Sequence, residues 1–154
     1  MKTDRSDWPK HIIDEFDRNK ESPKVGSALV SETDRVRVWT ISLQPGQRLG
    51  FHKHVLDYFW TVMTNGKARS HHGDGLTVEV EYKAGDTKHL TYACGEFMIH
   101  DLENIGDTEL LFTTVEFKDS ANAPLPLTRL TIDNGDMVRV SQIAVEEKRQ
   151  DSAE

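Results

Sequence analysis

The chain has 154 residues, 36% of them hydrophobic and 29% charged, with a formal net charge of -7. That is the size of one domain with a sizeable core, and the acidic balance speaks against nucleic acid or an anionic membrane surface as a partner. A lone cysteine, Cys94, excludes an intrachain disulfide and fits a reducing compartment. The first eight residues are polar and no apolar run is long enough to span a bilayer, so the expected location is cytoplasmic.

Residues 7–19 read as a short amphipathic helix. Trp8, Ile12 and Phe16 recur every four residues, with Ile13 beside them. Asp7 is a candidate cap and Pro9 suits a first turn. So short a helix needs a surface to pack on. From Ser27 the period changes to two. Residues 35–41 and 77–82 alternate polar and apolar, and Pro45-Gly46, Asn65-Gly66, Gly85-Asp86 and Gly106-Asp107 punctuate such runs. Asn65-Gly66 predicts a tight hairpin turn. Residues 97–102 and 110–117 are strand-like, and a last strand is expected over 137–145 before a charged tail. The expected fold is all-β, a jelly-roll barrel over 27–145, with a helix and arm over 1–26 and a tail over 146–154.

The candidate chemistry centres on Gly46-Gln47-Arg48-Leu49-Gly50-Phe51-His52-Lys53-His54. On a strand, residues two apart share a face, so His52 and His54 can reach one ion. The same parity gives Arg48 an inward option, where a substrate carboxylate would pair with it; the other option is the solvated barrel mouth. Tyr58, Trp60 and Val62 share a face by the same rule. His100 lies on a strand-like stretch far downstream, with Asn104 four residues on.

This arrangement resembles the cupin superfamily. Gly46, His52 and His54 match the opening of its first motif, and His100 with Asn104 match the end of the second; the resemblance covers roughly residues 27 to 118. Two features depart from the pattern. The glutamate of the first motif is missing, its place falling on Tyr58 or Phe59 with Asp57 just before. Thr91 stands where the second motif has proline, and Ala93-Cys94-Gly95 makes a longer turn before His100. The stretch from His52 to Asp57-Tyr58 is also similar to a subgroup of small cupins sometimes labelled beta-alanine degradation proteins. The resemblance implies a metal on His52, His54 and His100, and a homodimer. Fe2+ is favoured as the metal, with Zn2+, Ni2+ or Mn2+ open. Either Asp57 or Tyr58 completes the shell, or three histidines leave positions open.

Other residues receive plainer readings. His71 and His72 read as a solvated hairpin tip, His89 as structural and His11 as exposed. Glu116 has inward and outward options. Three functions follow for the site. One is a metal-dependent dioxygenase of a small carboxylate or dicarbonyl, with Arg48 and Tyr58 as catalytic candidates. The second is a metal-dependent lyase, isomerase or decarboxylase with Tyr58 as acid–base group. The third is a non-catalytic ligand-binding or accessory barrel.

Overall fold

The computed structural model describes residues 4–127. The strand expected at 137–145 and the charged tail lie outside the described residues. One helix, α1 (Lys10–Asn19), precedes nine strands. These are β1 (Ala28–Glu32), β2 (Val36–Leu43), β3 (Arg48–His54), β4 (Tyr58–Val62), β5 (Gly66–His71), β6 (Thr77–Tyr82), β7 (Thr87–Leu90), β8 (Met98–Asn104) and β9 (Leu110–Phe117).

The strands form two antiparallel sheets, ordered β1-β2-β9-β4-β7 and β3-β8-β5-β6. The alternation that marked β2 in the sequence puts one of its faces in the core, together with one face of β9. Arg37, Trp39, Ile41 and Leu43 stand opposite Glu116, Thr114, Phe112 and Leu110 and are buried with them. One end of the barrel is filled by Ile41, Leu43, Leu49, Val62, Ala68, Leu102, Leu110 and Phe112. Asn104 closes that end: its side-chain amide donates to the carbonyls of Leu43 and Thr108, and its Oδ1 accepts from the Gly106 amide. Gly46, at φ 84°, makes the turn into β3.

The helix packs on the outer face of β3 and β8. Trp8, Ile12 and Phe16 are buried against Phe51 and Ile99, as the stripe in the sequence requires. The helix starts after Pro9 without a side-chain cap, so Asp7 does not serve as the cap. The Asn65-Gly66 pair also differs from its sequence reading. Instead of joining paired strands, it links β4 in one sheet to β5 in the other, and Gly66 has no positive φ. Glycine is needed there for space, since a Cβ would lie 2.5 Å from Leu110 Cδ2. Leu110 is fully buried and cannot yield freely. Gly66→Ala is therefore expected to lower stability by about 1–3 kcal/mol, as overpacking does, measured as a lower urea midpoint with an unchanged slope.

Candidate metal centre

His52, His54 and His100 converge inside the barrel. Their nearest ring nitrogens lie within 4.8 Å of one another, and among the described residues no carboxylate joins the group. The register explains the convergence: His52 stands directly opposite His100, and His54 follows two residues on along β3.

Hydrogen bonds set the tautomers. His52 Nδ1 lies 2.8 Å from the Gly50 carbonyl, so it carries the proton and frees Nε2. The Ser70 hydroxyl gives its single proton to the Asp101 carbonyl. Its oxygen then accepts from His100 Nδ1 at 3.3 Å, and His100 Nε2 is freed in turn. His54 Nε2 and His100 Nε2 are 3.1 Å apart. Two nitrogens bound cis to one ion at ~2.1 Å stand ~3.0–3.4 Å apart, so this spacing suits a shared ion. His54 Nδ1 is buried without a partner. Burial lowers all three imidazole pKa values, His52 to about 4 and the other two well below the usual value. They are neutral at pH 7, the state in which an imidazole can ligate a metal.

The surrounding cavity is small, about 50 Å³, and its other walls are Val25, Ile41, Leu49, Tyr58, Trp60, Tyr82, Leu102, Phe112 and Thr114. Larger open clefts of about 650 and 580 Å³ flank α1 outside the barrel and contain none of the three histidines. Tyr58 is buried and stacks flat on His54, ring centroids 4.1 Å apart. Burial, then the neighbouring Tyr92 and Glu116, hold its phenol well above 10. Asp57 does not turn inward: its carboxylate accepts from the Tyr92 amide at 2.9 Å.

Arg48 departs from its inward reading. The register between β3 and β8 shifts between Leu49 and His52, so β3 carries one extra residue there. This bulge inverts the parity. Leu49, His52 and His54 face the barrel, while Arg48 and Phe51 face α1. The Arg48 guanidinium donates to both Glu15 carboxylate oxygens, at 3.2 and 3.0 Å, and to Asp101 Oδ2 at 2.6 Å. His71 completes this outer network. It is buried, with Nδ1 2.9 Å from Asp101 Oδ2 and its amide on Oδ1. The solvated-loop reading of His71 is thus overturned, because a carboxylate from β8 and the rings of Trp8 and Phe51 enclose it. His72 is half-buried, its ring 5.6 Å from that of His100. His11, His89 and Cys94 are exposed.

Sequence reasoning passed over Ser70 and Asp101. Ser70 left no signal. Asp101 left one, a lone acid in the apolar run from Phe97 to Leu102. Glu116 takes its inward option: it is buried, and Oε1 accepts from Trp39 Nε1 at 2.8 Å. Burial pushes its pKa up to about 7, against the opposing pull of Trp39 and Arg37.

No protein-family model matches the chain. Along 126 residues it is 31% identical to oxalate decarboxylase OxdC of Bacillus subtilis (strain 168), covering 80% of this chain. The chain spans 29% of that protein's length. A cupin domain of Bordetella pertussis Tohama I is similar in structure, with a TM-score of 0.52 and 27% identity, over 59% of this chain and 90% of that one. A double-stranded β-helix protein of Klebsiella pneumoniae gives a TM-score of 0.48 at 29% identity, over 61% of this chain and 76% of that one. Two antiparallel sheets wrapped around an inward histidine triad make this a double-stranded β-helix protein. The chain belongs to the cupin superfamily.

Two outcomes are expected from this geometry. Arg48→Ala leaves Asp101 short of a cation; because Arg48 is partly exposed, the expected loss is about 2 kcal/mol rather than the full cost of a broken buried pair. Chemical denaturation measures it, and metal content is unchanged. Glu116 has a folded pKa raised above its unfolded value near 4.5, so the stability it contributes is complete below pH 4.5 and is lost as pH rises through 7. The stability of the native chain relative to Glu116→Gln should therefore fall by ~3 kcal/mol between pH 4.5 and 8.

Proposed function

We propose that this chain is a metal-dependent enzyme that decarboxylates a small carboxylate at the three-histidine centre. The observation that carries the reading is the convergence of three buried imidazoles on one small cavity, the Nε2 of His52 and His100 freed by hydrogen bonds at Nδ1, with no carboxylate in the group among the described residues. His52, His54 and His100 would hold a divalent metal, which when bound supplies a Lewis acid for a carboxylate. The chain's own residues do the rest. Ile41, Leu49, Leu102 and Phe112 exclude water from the cavity. Tyr58 is a protonated phenol on its wall, able to donate a hydrogen bond and unsuited to act as a base. The small volume favours a substrate of a few heavy atoms.

Decarboxylation is chosen over the other lyase and isomerase reactions because the curated relative is an oxalate decarboxylase. Its substrate enters here as part of the proposal. A second reading, an iron-dependent dioxygenase, is favoured by the donor set: three neutral nitrogens leave positions for both substrate and oxygen.

The first measurement is elemental analysis of protein purified without chelator or histidine tag. About one metal per chain is expected, and its loss from a His52→Ala/His54→Ala variant whose circular dichroism is unchanged. Oxalate and other short carboxylates are then offered to protein loaded with manganese, iron, nickel or zinc. Carbon dioxide release without net oxygen uptake supports the decarboxylase. Stoichiometric oxygen uptake supports the dioxygenase. A chain that takes up none of these metals sinks both.

A further inference from the structure

The strands that end the two sheets leave the barrel wall open. β6 ends one sheet and β7 the other; among the described residues, β6 pairs only with β5 and β7 only with β4. Their registers identify the inward side chains. Val78 and Val80 stand opposite Ser70 and Ala68, which are buried on the inner face. Lys88 stands opposite Trp60, which lines the histidine cavity. Yet Val78 and Val80 are 37% and 38% exposed, and Lys88 is exposed as well. Inner-face residues open to solvent on the two strands that end the sheets mark a slot where no ladder joins one sheet to the other. Its floor is Trp60 and Tyr82, rings 5.5 Å apart, which also line the cavity.

The charge of the slot is one-sided. Glu79 bonds Arg69 at 2.9 Å on the outer face, and alternation puts Glu81 on that face too. Lys88 is in no ion pair with a carboxylate among the described residues. A chain of net charge -7 thus presents a cation on the inner face of β7, while the carboxylates of β6 lie on its outer face.

We propose that the slot between β6 and β7 is the route by which a small organic anion with a short apolar body reaches the histidine centre, Lys88 selecting its charge and Val78 and Val80 its body. This rests on the metal reading above. A cation at the mouth of a low-dielectric cleft raises the arrival rate of anions, and salt removes the advantage.

The test uses the full chain loaded with cobalt, followed by its visible absorption after rapid mixing. Butyrate is the anionic probe and imidazole at pH 8 the neutral one. Lys88→Glu is expected to slow butyrate about 10-fold at low ionic strength, to match the native chain at high salt, and to leave imidazole unchanged. Val80→Trp, which fills the slot, is expected to slow both probes. Cobalt content is measured for every variant. Full cobalt with unchanged butyrate rates in Lys88→Glu, or with unchanged rates of both probes in Val80→Trp, overturns the slot and leaves the metal centre standing. So does equal slowing of both probes by Lys88→Glu. A dimer that Val80→Trp splits into monomers assigns the face to a second copy and also overturns it. Failure of the native chain to take cobalt defeats the metal reading and the inference with it.

Discussion

One extra residue in β3 sets the two faces of the barrel wall. Between Leu49 and His52 the strand advances three positions while β8 advances two. Without that bulge, a strand with period two would send Arg48 to the same side as His52 and His54. With it, a guanidinium and a phenyl ring turn outward to α1, and Leu49 and two imidazoles turn inward. The Gly50 carbonyl, in the bulge itself, also fixes the His52 tautomer. The same irregularity thus sorts the side chains and orients one imidazole of the histidine cluster.

The inward and outward chemistries are kept apart by strand alternation alone. His100 faces the cavity and Asp101, its neighbour, faces α1 with 0% exposure. If both shared a face, the carboxylate would compete for the histidine centre. Instead its charge is met by Arg48 and His71, and the histidine cluster holds nitrogen donors alone among the described residues. A buried carboxylate needs such partners, and its main structural effect is to tie β8, β5 and β3 to the helix.

Much of this was legible in the residues. The four-residue stripe of Trp8, Ile12 and Phe16 located the helix and its buried face, and alternation located β2 and β6. The His52–His54 spacing with His100 anticipated a cluster that the β3–β8 register then assembled. What escaped depended on partners distant in sequence. His71 sits among Ser, His, Gly and Asp residues that read as a turn, and Asp101, thirty positions on, encloses it with the rings of Trp8 and Phe51. Asn65-Gly66 has hairpin chemistry, but the segment changes sheets because β4 pairs with β7 and β9 instead. Arg48 was misdirected by a bulge for which Gly50 was the sole local hint. Lys88 offered no signal until its register opposite Trp60 was known.

The Glu15–Arg48–Asp101 bridge makes α1 part of the barrel's folding unit rather than an appendage. Undocking the helix would take Glu15 from Arg48 and bare Phe51 and Ile99 at once, on the strands that carry all three histidines. Helix and wall therefore open together, as one cooperative block. The amides of β3 and β8 would then exchange with solvent at the rate of helix release, and a bound ion would slow both to the same degree.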